Sequence, residues 1–311
     1  MSTSSGARRV GAIDIGTNSV LLLIASVGDE LVPLVERATI TRLGEGVDRT
    51  RRLDPAASAR TLACLADYAR ELREHGVDAL DVVGTSAMRD AVGGEAFVAE
   101  AERLLGVKPR TIAGLEEAAL TFTGSLSGLG LQGAVSVFDV GGGSTEIIHG
   151  HAGAAVSPGN SISLDIGSVR LFERHVRSDP AAPSELARVR ADIDAALVTA
   201  PRGESANTLV GVAGTVTSIA AIELELDSYD PARVHGYTLS RDSVERVATR
   251  LAALPLSARR NLPGLDPKRA DVIVVGAEIV LRVMTWAAAE SLRVSDRGVR
   301  WGLAELLARR K

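Results

Sequence analysis

Two stretches of the chain, AIDIGTNSVLLLIA and VFDVGGGSTEIIHG, repeat one pattern: an apolar run, an Asp, a Gly-bearing turn, a hydroxyl residue and a second apolar run. Asp14 falls against Asp139, Gly16 against Gly141 and Ser19 against Ser144, at a constant offset of 125 residues. A buried strand that ends in such a turn delivers a carboxylate and several backbone N–H groups to one point. The N–H groups form an anion-binding nest, and the carboxylate can hold a divalent cation beside it. Two such turns facing each other would clamp a chain of phosphates.

The surrounding pattern is α/β. Residues from Val10 to about 40 read as an antiparallel meander, with VGAIDIGT, SVLLLIASV and ELVPLVERATIT rich in Val, Ile, Leu and Thr. A helix is predicted from Asp54 as N-cap and Pro55 at its first position to Gly76, with Leu62, Leu65, Ala69 and Leu72 as its buried stripe. ALDVVGTSAMRDA reads as strand, loop and helix, GVKPRTIAG as a short strand and LEEAALTFTGSL as a helix. The second half starts again: AVSVFDVG and STEIIHG form a hairpin, AAVSPGNSISLDIG extends the sheet, and SELARVRADIDAAL is a helix. TLVGVAGTVTSIAAIEL is strand, turn and helix. The expected architecture is two related α/β domains joined near residues 122–134 with a central cleft between them, and 311 residues suffice for both cores.

Composition narrows the function. Apolar residues at 46% and charged residues at 24% are those of an ordinary globular protein, while aromatics at 3% are too few for base-stacking platforms to dominate recognition. A net charge of −4 argues against a general nucleic-acid binder. The one cysteine, Cys64, excludes an intrachain disulfide and fits a reducing cytoplasm, where it reads as a small buried hydrophobe. SVLLLIASV is too short to cross a bilayer. VIVVGAEIVLRVMTWAAA carries Glu278 and Arg282 at i,i+4, which reads as a paired, amphipathic soluble helix. The expectation is a cytoplasmic protein with no membrane and no nucleic acid among its partners.

Four Gly-bearing turns follow apolar strands: DIGTNS, VGTSAMRD, DVGGGSTE and GVAGTVTS. One alone would be weak evidence, since such turns carry Gly for steric reasons; four, two with an Asp just before the Gly, point to a phosphate site. Asp139 and Glu146 bracket VGGGST, so a tight hairpin brings both carboxylates to the same phosphates, where magnesium would bridge them. Glu146 as a solvated strand residue and Asp14 as an Asx-turn acceptor are the alternatives. Arg89 has a guanidinium fork suited to phosphate, against an ion pair with Asp90. Glu116 and Glu117 open a helix, as dipole partners or with one of them as a base for water. DRTRRLD, with Arg49, Arg51 and Arg52, could attract a polyanion or be a solvated loop. No Walker lysine motif and no Gly-x-Ser-x-Gly elbow is present, and the five histidines lack metal-ligand spacing.

GAIDIGTNSVLLLIA, RLGEGVD, VVGTSAMRDA, GLEEA, VFDVGGGSTEII, GVAGTVTSIA, PGLDPKRADVIVVG and SDRGVRWGL occur in this order. Together, from Ala12 to Leu303, they resemble the exopolyphosphatase / guanosine pentaphosphate phosphohydrolase (Ppx/GppA) family. The resemblance implies two ribonuclease-H-like domains of the actin and sugar-kinase type. Domain I would span 1–122 and domain II 123–299, with a helix near 300–311 packing back on domain I. It implies Glu117 as the catalytic base with Arg89 beside it. Phosphates would be held by Thr17, Asn18, Ser19, Ser86, Gly141, Gly142, Gly143, Ser144, Gly214 and Thr215, and magnesium or manganese by Asp139, Glu146 and Asp14. A monovalent cation and a homodimer also follow from the resemblance, as does likeness to the family's short members. Asp165, in SLDIGSVRLFE, stands where the family is usually uncharged and has no role assigned. The expected activity is release of terminal orthophosphate from inorganic polyphosphate. The alternatives are hydrolysis of guanosine pentaphosphate, phosphate transfer from polyphosphate to ADP, and a non-catalytic alarmone-binding regulator.

Overall fold

The apolar runs around the first Gly turn become β1 (Arg9–Ile15) and β2 (Ser19–Val27), followed by β3 (Leu31–Ile40), in a computed structural model that describes residues 7–154, 160–204 and 208–310. Then come α1 (Val47–Thr50), α2 (Pro55–Glu74), β4 (Ala79–Gly84), α3 (Ser86–Asp90), α4 (Glu95–Leu105), β5 (Arg110–Thr111) and α5 (Gly114–Leu126). The second Gly turn joins β6 (Ala134–Val140) to β7 (Thr145–His151), with β8 (Ser161–Leu164), α6 (Ser168–His175), α7 (Pro183–Leu197), β9 (Thr208–Val212) and α8 (Ala213–Glu223) after it. The remainder is α9 (Pro231–Val234), β10 (Thr238–Ser240), α10 (Arg241–Ala253), α11 (Leu256–Arg259), α12 (Ile273–Trp286), β11 (Ser291–Val294) and α13 (Val299–Arg309).

The chain separates into two compact units, Met1–Ala113 with Val299–Lys311, and Gly114–Gly298. In the first, the sheet runs β3-β2-β1-β4-β5, with β1–β3 an antiparallel meander and β4 and β5 added in parallel. In the second the order is β10-β11-β9-β6-β7-β8, so β6, β7, β8, β9 and β11 repeat the places and directions of β1 to β5, and β10 adds an antiparallel edge. The offset of 125 survives in the register, where Ile15 pairs with Val20 and Val140 with Thr145. This topology is that of two ribonuclease-H-like domains. The central strands have both faces covered, which is why β1 is buried continuously from Val10 to Ile15 and shows no polar alternation.

In the first unit, Ile13, Ile15, Leu22 and Val82 pack with Leu65, Tyr68 and Leu72 of α2 and Phe97 of α4. The predicted start of α2 is realised: Asp54 accepts the Ala57 N–H at 2.9 Å and Pro55 sits at the first position, a cap worth about 1 kcal/mol. Cys64 is buried in this core, and burial pushes its thiol pKa up, as suits a small hydrophobe. The other face of the sheet meets α13, which packs on β1, β2 and β4.

In the second unit the larger core joins Phe138, Val140 and Ile147 to α7, α8, α10 and α12. Glu278 and Arg282 do not pair with each other as their spacing suggested. Arg190 of α7 forks onto Glu278 at 2.6 and 2.8 Å, and Arg282 onto Asp194 at 2.5 and 2.6 Å. Two helices side by side offer bidentate geometry that a single helix face does not, and that geometry wins. The opposite face of this sheet is covered by α5, whose Ala118 and Phe122 cluster with Val135, Val137 and Ile148. That packing places α5 in the second unit, so the first unit closes at Ala113 and not at the expected residue 122. No helix among the described residues is long and apolar enough to cross a membrane.

Glu36 of β3 ties α13 down. One of its oxygens accepts from Arg300 at 2.8 Å and from the indole N–H of Trp301 at 3.1 Å, and both partners are buried. Glu36→Ala should remove one charge partner of the buried Arg300 guanidinium and the acceptor of the Trp301 indole N–H, and cost about 1.5–3 kcal/mol. Thermal and urea melts of the variant should show the loss, and an unchanged midpoint would mean that α13 is held by its apolar face alone.

Candidate active site

The two Gly turns have the same internal bond. Gly16 N–H donates to the Ser19 carbonyl and Gly141 N–H to the Ser144 carbonyl, each at 3.0 Å. What differs is the segment that takes up the remaining carbonyls. In the first turn the Asn18 oxygen accepts from the N–H groups of Thr41 (3.1 Å) and Arg42 (3.0 Å), and the Thr17 oxygen from Gly44 (2.9 Å). In the second, Gly141 O accepts from Ser168 N–H (3.0 Å) and Gly142 O from Val169 (2.9 Å) and Arg170 (3.0 Å). Gly143 O accepts from the side-chain Nε of Arg170 at 2.6 Å. With the carbonyls engaged on one side, the N–H groups of Gly142, Gly143 and Ser144 make no hydrogen bond to any described residue. Nor do those of Thr17 and Asn18. Gly142, Gly143 and Ser144 are buried, as are Thr17 and Asn18. The Oδ1 of Asn18 is buried and accepts no hydrogen bond from the described residues. Buried donors and acceptors in this state are what an oxyanion or a metal-bound water would satisfy.

Asp14 sits on β1 between Leu21 and Val83 and is 8% exposed. At the same place in the second sheet, Asp139 pairs across the hairpin with Glu146, and Glu146 in turn with Ser163 of β8. Residues directly opposite in antiparallel strands project on the same face. The Ser163 hydroxyl donates to Glu146 at 2.7 Å, and Glu146 is 2% exposed, so it is not the solvated strand residue that was its alternative. Among the described residues no three His, Cys, Asp or Glu side chains gather into a ready metal cage. Asp139 and Glu146 are two hard oxygen ligands beside open amide donors, a set that fits Mg²⁺, which completes its shell with water and phosphate oxygens.

The face that carries Asp139 and Glu146 is the one α5 covers, because Asp139 alternates with Val135 and Val137. The start of α5 lies against β8, where a Cβ on Gly114 would stand 3.1 Å from that of Ser163. On this first turn Glu117 is 6% exposed, while Glu116 faces solvent and Leu115 is 53% exposed. Burial of Ala118 sets that rotation. Gly214 and Thr215 begin α8 beside the same turn, with Thr215 Oγ1 donating to Val140 O at 3.5 Å. Ala213 there has φ 71, a left-handed conformation that non-glycine residues seldom hold outside functional turns. In the first unit, Ser86 is buried at the head of α3 and Arg89 is half-buried, donating from Nη1 to Ile112 O at 3.2 Å.

Three residues of this region had no role in the sequence reading. Arg170 is 6% exposed and pins the Gly143 carbonyl, and Asp165, without a role until now, faces its Nη2 at 3.7 Å. The Asp165 side chain is 86% exposed, so this pair is weak. Gly167 is the third: a Cβ there would collide with the carbonyl group of Gly142 and the carbonyl carbon of Gly143. The Gly in DIGSVR after a strand was the available signal. Arg269 also lies here, its guanidinium filling the space where Gly214 lacks a side chain, and burial pulls its pKa down from the ordinary arginine value.

Residues 23–309 match the model of the Ppx/GppA phosphatase family. Exopolyphosphatase 2 of Mycobacterium tuberculosis is 40% identical, over 96% of this chain and 98% of its own. The crystal structure of an exopolyphosphatase-like protein superposes with a TM-score of 0.91 at 34% identity, covering 98% of this chain and 99% of that one. A family member from Aquifex aeolicus gives 0.81 at 32%, with the same coverage. A protein with this duplicated fold and these relatives is a phosphoanhydride hydrolase. The chain belongs to the Ppx/GppA phosphatase family.

Gly167→Ala should displace the Gly141–Ser144 turn, since backbone stands on the side where a methyl would go. We expect a loss of about 1–3 kcal/mol in stability and a larger relative loss of phosphatase activity. Phosphate release alongside thermal melts checks it, and wild-type rates would place the anion site elsewhere.

Proposed function

We propose that the protein is an exopolyphosphatase that releases terminal orthophosphate from inorganic polyphosphate. The observation that carries this reading is the second Gly turn, with its unbonded amides, and the Asp139–Glu146 pair and buried Glu117 on the sheet face beside it. The 40% identity to an exopolyphosphatase over its whole length supports it. In the proposed reaction a water oxygen attacks the terminal phosphorus while the bridging P–O bond on the far side breaks. The attacking water gives a proton to Glu117, and the products are orthophosphate and a chain one unit shorter. In the second unit, Ser144 and the amides of Gly142 and Gly143 offset the charge on the equatorial oxygens, where oriented donors are worth most; in the first, Arg89 offers a guanidinium fork suited to phosphate. In the first unit Thr17, Asn18, Ser19 and Ser86 are the phosphate-holding groups, and in the second Gly214 with Thr215 lines the Gly turn. Mg²⁺ held by Asp139 and Glu146 would neutralise phosphate oxygens, and Asp14 is the acid at the matching position of the first unit.

The same apparatus would act on guanosine pentaphosphate. A guanosine-5'-triphosphate,3'-diphosphate pyrophosphatase of Vibrio atlanticus, 28% identical, is the observation in favour of that second reading, although this chain spans only 58% of its length. Side-by-side kinetics on both substrates, with ADP added in one arm to detect transfer, decide among them.

Glu117→Gln keeps the shape of the side chain and removes the proton acceptor, so turnover should fall by about 10²–10⁴ with substrate affinity largely kept. Glu116→Gln, on the exposed side of the same turn, should retain most activity. Phosphate release and substrate binding on both variants are the measurement. A dead Glu116→Gln beside an active Glu117→Gln would reverse the assignment, and two active variants would put the base elsewhere.

A further inference from the structure

Arg49 lies in the one-turn helix α1, and Arg51 and Arg52 follow in the loop; all three are exposed. Among the described residues, none of these guanidinium groups takes part in an ion pair or hydrogen bond. The acids of the same stretch are engaged: Glu45 pairs with Arg60 at 2.7 Å, Asp54 caps α2, and the half-buried Asp48 has partners of its own. The backbone beneath the arginines is held in place. Arg51 has φ 55, in the left-handed region, and its carbonyl accepts the Val92 N–H at 2.8 Å. The Thr50 hydroxyl donates to Gly46 O at 2.9 Å and Arg52 O at 3.1 Å. A left-handed arginine persists only where surrounding bonds hold it, so the cations are displayed from a set loop.

That loop borders both phosphate elements of the first unit. Gly44, in the same segment, donates to Thr17 O, and a Cβ on it would meet the Thr17 side chain and stand 3.3 Å from Ala87 Cβ of α3. Val92, which bonds Arg51, lies just beyond the end of α3. Starting from Arg89, further cations therefore continue alongside the Thr17–Ser19 turn and α3.

We propose that Arg49, Arg51 and Arg52 form a rim of extra phosphate subsites that engages polyphosphate beyond its terminal units and favours long chains over short ones. The inference rests on the polyphosphate reading above. A chain of net charge −4 repels a polyanion in general, so attraction has to be local. Each exposed contact is weak, but a ligand with a repeating charge meets every cation in the row, whereas tripolyphosphate fills only the turns.

The test is binding and kinetics on tripolyphosphate and on long-chain polyphosphate. It compares wild type, the triple variant Arg49→Gln/Arg51→Gln/Arg52→Gln and the matching triple Lys variant, with melts to confirm folding. For the Gln variant we expect Kd and KM for long chains to rise on the order of tenfold, with a shallower salt dependence. Its tripolyphosphate affinity should stay within about twofold and kcat should hold on both substrates, while the Lys variant keeps most of the long-chain affinity. Equal weakening for both lengths, no weakening, or a Lys variant as weak as the Gln variant would overturn the rim. Binding measured without divalent cation separates the two claims. A wild type that binds no polyphosphate of any length sinks the function reading, whereas wild-type binding with an unaltered Gln variant sinks only the rim.

Discussion

A peptide turn presents its carbonyls and its amides in different directions, and everything at the candidate site depends on which set the protein consumes. Here the carbonyls of both Gly turns are taken up by neighbouring segments, residues 41–44 under the first and 168–170 under the second. The amides of Gly142, Gly143 and Ser144 are thereby left as oriented, buried donors. Such donors need no reorganisation to meet an anion, which is why their orientation is worth more than their number. Gly167 is the steric condition of the second turn, because its backbone rests on the Gly142 carbonyl where no side chain fits.

The two copies of the strand–turn–strand element share their hydrogen bonding and register, and differ in what the shared positions carry. Leu21 lies across from Asp14, whereas Glu146 lies across from Asp139. One substitution of a carboxylate for an apolar side chain turns a single acid into a pair, and a buried carboxylate such as Glu146 beside another acid is costly unless cations or donors accompany it. The helix with Glu117 covers this same face of the second sheet. In the first unit cationic groups stand out instead, with Arg89 near the turn and the exposed arginines beside it. The two copies thus differ in what they carry: a carboxylate pair on the second sheet, with Arg170 and Arg269 beside its turns, and in the first unit a single Asp14 with Arg89 and the exposed arginines.

Much of this was legible in one dimension. The offset of 125, the meander and the Asp54–Pro55 helix start were local patterns, and local patterns fix local structure through hydrogen-bond geometry and periodicity. Adjacent helical residues point about 100° apart, so only one of Glu116 and Glu117 could turn inward; the family resemblance selected Glu117, and it is the one that is buried. The pairing of Glu278 and Arg282 was misread, because i,i+4 spacing describes one helix and says nothing of the Arg190 and Asp194 that a second helix brings. Arg170 was equally hidden, since its significance lies in a contact with a turn far back in the chain.

By itself, the sequence determined the duplicated α/β architecture, the family, and the residue types available at each turn, since periodicity, turn chemistry and motif order are properties of neighbouring residues. Only the tertiary structure decided where the first unit closes, because α5 buries Ala118 and Phe122 against the second sheet. It also decided which carbonyls each turn gives up and which amides it keeps. Those outcomes are competitions between segments distant in sequence for the same donors, acceptors and apolar area, and such competitions are settled only when the segments meet.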